Sequence, residues 1–267
     1  MNRNKSARGS PELLADALMT RIFKGEFPPG TRLPPERQLA VDLGVDRTTL
    51  RMATKQLQRL NLVVAKHGSG IVVNDYRTHG GLDVLAAMFA LEGLPLDDGF
   101  LVEALDFWHE SFSMTAARAI ARMSLEDLRA LEVLLDRSIA SVHDPDAYVE
   151  SELEIQDALA RISGSVIFHM LSNSTRPLRR RIMRLLPQTG DVAASLVGMK
   201  KMLRVAAATR PDEGTVRIAL LDALRRQTAA FREGLLIRSP ETVEARAAQP
   251  RARKKPRPKR GGRRALA

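Results

Sequence analysis

Three things are scarce in this 267-residue sequence: it has no cysteine, only 4% aromatic residues, and no long apolar run. Without cysteine there is neither a disulfide nor a thiolate metal ligand, and a cytoplasmic location is expected. A membrane span needs about 20 consecutive apolar residues, and neither that nor a signal-peptide pattern occurs, so no membrane association is expected. Phosphate-binding glycine loops, nucleophile elbows and histidine pairs with metal spacing are also missing, so the sequence predicts no enzyme.

Charge is abundant but unevenly distributed, and the formal net charge is +11. Residues 1–75 contain 12 Lys and Arg against 7 Asp and Glu, residues 76–250 contain 21 against 24, and residues 251–267 contain 9 against none. A basic N-terminal part is expected where a protein meets phosphates. The basic tail is poor in apolar residues and interrupted by Pro and Gly, which predicts disorder. It is either a sequence-independent DNA-binding arm or a solubilising extension.

The first part of the chain has the order of elements that is typical of a winged helix-turn-helix. Two helices are separated by a Pro- and Gly-rich stop, and a glycine turn leads to a third helix that Asp46 can cap. Two β-branched runs then flank a second glycine turn. The predicted helices are Pro11–Lys24, Pro35–Leu43 and Asp46 to about Leu60, and the predicted strands are Leu62–Ala65 and Ile71–Val73.

The rest of the chain is helical in pattern and predicts a bundle of about six to eight helices. A capping box at Ser124 and the pair Asp144-Pro145 start helices, whereas Ser163-Gly164 and Leu186-Pro187 end them. The fold class is therefore mostly α. The expected domains are a disordered N-terminus over 1–10, the winged helix-turn-helix over 11–75, an all-α bundle over 76–248, and a disordered basic tail over 249–267.

Three motifs of the first domain resemble the DNA-binding domain of the GntR family of bacterial regulators. They are Gly30-Thr-Arg-Leu-Pro-Pro-Glu-Arg-Gln-Leu-Ala40, Leu43-Gly-Val-Asp-Arg-Thr-Thr-Leu-Arg51 and His67-Gly-Ser-Gly70. The resemblance implies that the third helix enters the major groove and that the wing reaches the minor groove. It implies DNA contacts by Arg37, Arg47, Thr48, Thr49, Arg51, His67 and Gly68.

The chemistry of the third helix agrees with these roles. Arg47 and Arg51 can each make two hydrogen bonds to a guanine edge and are the candidates for base readout, with Thr48 and Thr49 as phosphate contacts. Taken alone, such a helix would be an ordinary solvated one. Asp46 departs from the family, which usually has Ser or Thr there to bond a phosphate. Its carboxylate either caps the helix while repelling the DNA backbone, or accepts a hydrogen bond from a cytosine amino group.

The bundle resembles the effector domain of the FadR-type branch of the family, which binds a metabolite and dimerises. Residues Val73–Leu85 are similar to the linker and first bundle helix of the fatty-acid-responsive members, which implies a long-chain acyl-CoA effector. His109 aligns with a basic position that meets the CoA moiety in those members. His109 and the adjacent Trp108 are therefore the candidate effector contacts, although each is also compatible with an ordinary core residue.

A sister group of the family holds a metal in this bundle with one Asp and three His. Alignment on Ser163-Gly164 places Glu152 and Gln156 at the first two ligand positions, and an amide is a poor substitute for imidazole. No histidine lies after His169, so the C-terminal ligands have no counterpart. Neither a metal nor another cofactor is expected.

The resemblance thus implies a homodimeric transcriptional regulator of the bacterial cytoplasm and nucleoid. Its partners would be a palindromic double-stranded DNA operator and a small-molecule effector. Two alternatives remain open. One is a GntR-type regulator that responds to a sugar acid, an amino acid or another carboxylate, and the other is a basic architectural protein that coats DNA without sequence preference.

Overall fold

The computed structural model describes residues 10–68, 70–186 and 192–238 of the chain. Residues 1–9 and the basic tail over 249–267, both predicted to be disordered, lie outside the described residues. Within the described ranges the protein is mostly helical, as the sequence predicts, with one two-stranded sheet. None of the helices in these ranges is both long and apolar enough to cross a membrane.

The N-terminal head has the predicted order of elements. It consists of α1 (Pro11–Phe23), α2 (Glu36–Leu43), α3 (Arg47–Arg59), β1 (Val63–Lys66) and β2 (Gly70–Val73). The strands pair antiparallel, with Val63 opposite Val73 and Lys66 opposite Gly70. The segment before α2 adds a bridge between Arg32 and Val72, which the sequence did not predict.

Local signals explain where the head helices begin and end. Gly44 follows α2 with a φ of 66°, a left-handed conformation that glycine adopts without a Cβ penalty. Apolar side chains of α3 recur on one face, so that Leu50, Ala53 and Leu57 are completely buried. Burying a leucine side chain contributes about 1.5–3 kcal/mol. The opposite face of α3 is thereby left mainly to polar and basic residues, with Met52 among them.

The bundle follows a short helical turn, α4 (Tyr76–His79). Its helices in the described residues are α5 (Leu82–Ala90), α6 (Asp98–Arg122), α7 (Leu125–Ala140), α8 (Pro145–Ile162), α9 (Val166–Leu185), α10 (Val192–Thr209) and α11 (Glu213–Arg238). Helix α6 is central and packs against α8, α9, α10 and α11. Helix α9 packs against both α8 and α5.

Three of the bundle's predicted helix boundaries are confirmed, and Pro187 of the predicted Leu186-Pro187 stop lies outside the described residues. The Ser124 hydroxyl caps α7 in a complete capping box with Asp127, and Asp144 caps α8, whose first residue is Pro145. Helix α8 ends at Ile162, before Gly164 turns the chain with a φ of 66°. These boundaries depend on residues close in sequence, which is why the pattern predicts them.

Helix α5 joins the head to the bundle. Val84 and Met88 pack in the same buried cluster as the head's core, whereas Phe89 packs with residues of α6 and α9. Gly80, just before α5, has no room for a side chain, because a Cβ there would lie 2.6 Å from the Tyr76 carbonyl oxygen. The two parts of the molecule therefore share a helix that contributes to both cores.

Candidate functional site

Asp46 occupies the N-cap of α3 and uses both carboxylate oxygens there. Oδ1 accepts from the Thr49 backbone N–H at 2.9 Å, and Oδ2 accepts from the Thr49 hydroxyl at 2.7 Å. These hydrogen bonds to Thr49 lower the pKa of the Asp46 carboxyl below its usual range. Of the two sequence interpretations of Asp46, capping is therefore the role seen in the structure. A negative charge stands at the helix end that would face DNA.

The exposed side of α3 presents three of the four predicted contact residues. Arg47, Thr48 and Arg51 are exposed, and Thr48 and Arg51 lie about one turn apart. Thr49 points inward instead: only 8% of it is exposed, and its hydroxyl proton is donated to Asp46. The geometry thus brings Arg47, Thr48 and Arg51 together on an open surface and sets Thr49 apart.

Helix α2 supports this surface from the side. The Arg51 guanidinium donates to Glu36 Oε2 at 3.3 Å, although both side chains are more than one-third exposed. Because so exposed an ion pair contributes little to stability, its main effect is on where the guanidinium points. Arg37, the predicted contact on α2, is exposed as well.

The wing carries the remaining predicted contacts. His67 and Gly68 are exposed at the tip of the hairpin, and Gly68 adopts a φ of 69° that turns the chain. No heavy atom within 4 Å would meet a Cβ at Gly68, so the tip is open. An open hairpin tip is the shape that a minor groove admits.

The surface contains further candidates that the sequence reasoning missed. Lys55 and the half-exposed Met52 continue the open face of α3, one turn beyond Arg51 and Thr48. Helical spacing alone is sufficient to find them. Arg32 lies beside Gly70 of the wing, with its Cδ 3.9 Å from where a Cβ would stand. Its position depends on the Arg32–Val72 bridge, for which there was no local signal.

The two effector candidates face different neighbours inside the bundle. Trp108 is buried, stacks on Phe112 with ring centroids 5.9 Å apart, and donates from Nε1 to Gln156 Oε1 at 3.3 Å. His109 is completely buried, with Nε2 3.0 Å from the Thr228 hydroxyl of α11. Trp108 therefore lies where α6 packs against α8, and His109 lies where α6 packs against α11.

One ring nitrogen of the buried His109 has no hydrogen-bond partner among the described residues. The Thr228 hydroxyl donates to the Leu224 carbonyl at 3.0 Å, so its oxygen accepts from Nε2–H of the imidazole. Nδ1 is then a bare acceptor without a partner among the described residues. Burial is the main cause that lowers the pKa of His109, so the ring is neutral at pH 7.

A cationic cluster lies beside Trp108, where α9 meets α8. Arg179 is only 5% exposed and donates to Asp157 Oδ1 at 2.6 Å, to the Ser172 carbonyl at 2.9 Å and to Gln156 Oε1 at 3.3 Å. Its Nε has no partner among the described residues. Burial, and secondarily the charge of Arg176, lower the pKa of Arg179 to about 10. The guanidinium is thus charged at pH 7 and pairs with the carboxylate of Asp157.

The neighbouring arginines of α9 are held by acidic groups or carbonyls. Arg180 bonds both oxygens of Glu150, Arg184 bonds Asp146, and Arg181 donates to the Leu94 carbonyl. This row of basic residues could have met phosphates, but the structure shows it joining α9 to its neighbours.

The residues aligned with the sister group's metal ligands do not fit a metal. Glu152 accepts from the Ser138 hydroxyl at 2.8 Å, and Gln156 accepts from Trp108 and Arg179. Within the described part of the chain, no three His, Asp or Glu side chains are grouped so as to hold a metal ion. Because the amide oxygen of Gln156 is already used twice, no metal-dependent step is assigned to this site.

The large apolar side chains of the bundle fall into separate groups. Phe89, Leu101, Leu105, Phe107, Trp108 and Phe112 share one cluster of the bundle, here called the aromatic cluster, with Leu178 and Ile182 of α9. Met88 packs with the head instead, and Met114, Ile167 and Met170 are exposed. Among the described residues the bundle has a second buried apolar cluster, which includes Ile120, Leu131 and Leu203, so enclosed apolar surface is not confined to the aromatic cluster.

Two stretches of the sequence match known families. Residues 12–73 match the family described as "Bacterial regulatory proteins, gntR family", and residues 113–225 match the FCD domain. The first match covers the head elements, and the second covers most of the bundle helices.

Relatives along most of the chain are regulators. The HTH-type transcriptional regulator Mce2R of Mycobacterium tuberculosis is 31% identical over 187 residues, which cover 70% of this chain and 77% of that protein. The fatty acid metabolism regulator protein of Cronobacter sakazakii is 32% identical over 167 residues, covering 62% of this chain and 68% of that protein. The McbR/YncC structure from E. coli is 18% identical with a TM-score of 0.42, covers 84% of this chain and 98% of that chain, and carries no part of the assignment.

Proposed function

The chain belongs to the GntR family of bacterial transcriptional regulators and has an effector-binding FCD domain after its DNA-binding head. We propose that it binds operator DNA as a homodimer and that a long-chain acyl-CoA changes its operator affinity. The observation that carries the DNA-binding part is the open surface of α3 and the wing. It places Arg47, Thr48, Arg51, His67 and Gly68 on exposed positions.

Base readout is assigned to Arg47 and Arg51. Both guanidinium groups are exposed at the N-terminal end of α3, and each can bond O6 and N7 of a guanine. Arg51 is oriented by Glu36, and Thr48 supplies a phosphate contact. Thr49 is assigned a role in capping α3 and not a phosphate contact, because its hydroxyl donates to Asp46. Arg37 and the wing tip contact the adjacent backbone and minor groove.

Fluorescence anisotropy on the DNA upstream of the protein's own gene tests this assignment at fixed salt, with random DNA as the reference. Arg47→Ala is expected to weaken specific binding by about tenfold or more, since a bidentate base contact contributes about 1–3 kcal/mol. The matched control is Arg59→Ala, at the far end of the same helix. Equal binding of operator and random DNA by the wild type would instead favour the architectural role.

Dimerisation follows from the operator geometry. Two recognition helices reach successive major grooves of a palindrome only when two copies of the chain are held together. Sedimentation equilibrium of the purified protein is expected to give twice the chain mass of 29.5 kDa. A monomer that still binds a palindromic operator tightly would contradict the dimer.

The acyl-CoA effector is supported by two observations. A relative that the chain resembles is named a fatty acid metabolism regulator, and the bundle encloses an aromatic cluster next to polar donors. An amphipathic ligand needs such a combination of apolar and polar surface. The second candidate class is another carboxylate metabolite, which the buried Arg179 favours.

Competition between ligands separates the two effector classes. Oleoyl-CoA is expected to change operator affinity, whereas free CoA, gluconate and amino acids leave it unchanged. A response to a sugar acid or an amino acid alone would move the assignment to the second class. No turnover of oleoyl-CoA is expected, because we assign the protein a regulatory role in the cytoplasm, and product analysis after incubation checks this.

A further inference from the structure

The segment just before α2 lies along the outer edge of the wing. The carbonyl of Thr31 accepts a hydrogen bond from the backbone of β2, and the N–H of Leu33 donates one to it, each over 2.9 Å. These bonds hold Arg32 opposite Val72. The backbone of Arg32 is therefore fixed to the wing, although two helices separate it from the wing in the sequence.

The side chain of Arg32 runs along the wing towards its tip. Its backbone is bridged to Val72, yet its Cδ lies 3.9 Å and its Cγ 4.0 Å from where a Cβ would stand at Gly70. Gly70 is two positions nearer the tip than Val72, and it pairs with Lys66 where the hairpin closes. The guanidinium, which lies beyond Cδ, is therefore carried to the tip end of the hairpin.

This end of the wing is positively charged. Arg32 is exposed, and its guanidinium has no carboxylate partner among the described residues, whereas Arg51 on α3 donates to Glu36. Neither the wing over 63–73 nor the segment over 30–35 contains an acidic residue. Lys66 adds a second exposed cation beside the tip. Arg32 is thus free to pair with a negative charge that comes from outside the protein.

The minor groove of DNA is the surface that such an edge fits. Where A·T pairs make this groove narrow, its negative potential is enhanced and attracts inserted arginines. A guanidinium is planar and is less strongly hydrated than an ammonium, so it enters a confined groove more easily. Because the stem of Arg32 lies along the hairpin, the guanidinium would enter the groove together with the tip.

We propose that Arg32 enters the minor groove beside His67 and makes operator affinity depend on the width of the groove at that point. This assignment rests on the proposed function, because it presupposes that the wing contacts DNA. It adds a source of specificity: base pairs that α3 does not touch are selected through the shape of the minor groove, with A·T pairs preferred. Gly70 contributes the bare backbone beside which the stem of Arg32 lies.

Chemically modified operator DNA tests the minor-groove contact. 2,6-Diaminopurine in place of adenine adds an amino group in the minor groove and leaves the hydrogen-bonding groups of the major-groove edge as they are. Arg47 and Arg51 therefore meet the same groups in both DNAs. By fluorescence anisotropy at fixed salt, the wild type is expected to bind the modified operator about fivefold or more weakly, as it would an operator with one unfavourable base pair.

A set of variants assigns this difference to Arg32. Arg32→Met keeps an apolar stem beside Gly70 and removes the charge. It is expected to weaken binding to the unmodified operator by about fivefold or more. It is also expected to lower the salt dependence of log Kd by about one ion and to lose most of the difference between the two DNAs. The matched control, Arg59→Ala at the far end of α3, is expected to keep the whole difference.

A second variant covers a failure of Arg32→Met to fold. Arg32→Lys keeps a positive charge and a long stem, but its ammonium is more strongly hydrated. It is expected to lose part of the difference between the two DNAs. A full difference in Arg32→Lys would mean that the charge alone matters, and the minor-groove role would be overturned.

The remaining outcomes separate this inference from the proposed function. Equal losses of affinity on both DNAs in Arg32→Met would make Arg32 a phosphate contact and overturn the minor-groove role. Equal binding of both DNAs by the wild type would overturn it as well. The regulator assignment stands in each case, provided that the wild type prefers the operator to random DNA. If it shows no such preference, the proposed function is overturned, and this inference with it.

Discussion

At the scale of single residues, Asp46, Glu152 and Thr228 have the most sharply defined surroundings. Each side chain is hydrogen-bonded to a named side chain: Asp46 to Thr49, Glu152 to Ser138, and Thr228 to His109. Asp46 serves the helix end at the DNA surface, Glu152 lies in the contact of α7 with α8, and Thr228 holds His109. The effect of replacing each residue on stability or on DNA binding can therefore be predicted from the hydrogen bond that is lost.

Replacing Asp46 separates its role in folding from its effect on DNA binding. Asp46→Ala is expected to lower the melting temperature, because the N–H of Thr49 loses its cap. Asp46→Asn keeps an acceptor but removes a negative charge from the helix end that we propose faces the DNA, so operator binding is expected to tighten. Thermal unfolding by circular dichroism and anisotropy are the two measurements. Weaker operator binding by Asp46→Asn would mean that the carboxylate itself contacts a base.

Asp46 also has a pH dependence with a definite sign. Its pKa is lowered in the folded protein, so its stabilising effect is present above the carboxyl's unfolded pKa and is lost as the pH falls through the folded value. The difference in melting temperature between wild type and Asp46→Ala is expected to shrink in acid. A constant difference down to strongly acidic pH would contradict the capping role.

Glu152 is expected to destabilise the protein at neutral pH. Burial raises its pKa, and the hydrogen bond from Ser138 only partly offsets this. For a carboxyl with a raised folded pKa, the destabilisation is absent below the unfolded pKa and develops as the pH rises through the folded value. Glu152→Gln, which keeps an acceptor for Ser138, is expected to raise the midpoint of urea unfolding at pH 7.

The control for Glu152 is Glu154→Gln on the same helix. Glu154 is exposed and pairs with Arg137 at 3.1 Å, so its change is expected to have little effect. The stabilisation by Glu152→Gln is expected to disappear at low pH, where the wild-type carboxyl is protonated as well. Equal midpoints for wild type and Glu152→Gln at pH 7 would show that the carboxyl carries no such penalty.

Replacing Thr228 tests whether the buried imidazole of His109 needs its hydrogen bond to the Thr228 hydroxyl. Thr228→Val keeps the shape of the side chain but leaves Nε2 as well as Nδ1 without a partner, at an expected cost of about 1–3 kcal/mol in the free energy of unfolding. Thr209→Val, at an exposed end of α10, is the matched control. Similar losses in both variants would mean that the imidazole does not depend on Thr228.

The sequence predicts the single-residue features that depend on near neighbours. Capping by Asp46, Ser124 and Asp144 follows from residues two or three positions away. The bonds from Arg51 to Glu36, 15 positions away, and from Trp108 to Gln156, 48 positions away, could not be predicted in that way. They depend on which helices pack together, and no pattern in the sequence encodes that pairing.

At the scale of elements, the turn between α4 and α5 leaves no room for a side chain at Gly80. A Cβ at Gly80 would also lie 3.2 Å from the Val84 side chain, so the backbone has to shift to accept one. Gly80→Ala is expected to cost about 1–3 kcal/mol in the free energy of unfolding, as overpacked sites do. Urea unfolding of the full chain measures the change.

Gly198 is the matched control for Gly80. It lies inside α10 with no heavy atom within 4 Å of a Cβ, so Gly198→Ala is expected to stabilise the helix by about 0.5–1 kcal/mol. If Gly80→Ala lowers the free energy of unfolding and Gly198→Ala raises it, the close contacts with Tyr76 and Val84, and not backbone freedom, are the reason for glycine at position 80. Stabilisation by both would contradict the tight joint.

The order and bounds of the elements were largely predictable, and their partners were not. The head strands were expected at Leu62–Ala65 and Ile71–Val73 and are found at Val63–Lys66 and Gly70–Val73. The bridge of Arg32 to Val72 was missed, because one residue of strand gives no periodic signal. Pro177 lies inside α9 without ending it, which the sequence alone would not favour.

At the scale of the whole molecule, α5 packs against both the head and the bundle. One side of this helix contributes Val84 and Met88 to the head's core, and Phe89 contributes to the aromatic cluster. An effector in that cluster acts on the head only if it binds one arrangement of the molecule better than another. Such coupling must be reciprocal: the factor by which an effector changes operator affinity equals the factor by which operator DNA changes the effector's affinity.

The most direct test of this account is the anisotropy of labelled operator DNA titrated with the full chain at fixed salt, without and with saturating oleoyl-CoA. A change of about 5-fold or more in operator affinity is expected, which is the usual size of such coupling. Random DNA and free CoA should leave the curve unchanged. An operator affinity that oleoyl-CoA does not alter would contradict the assignment of this protein as an acyl-CoA-responsive regulator.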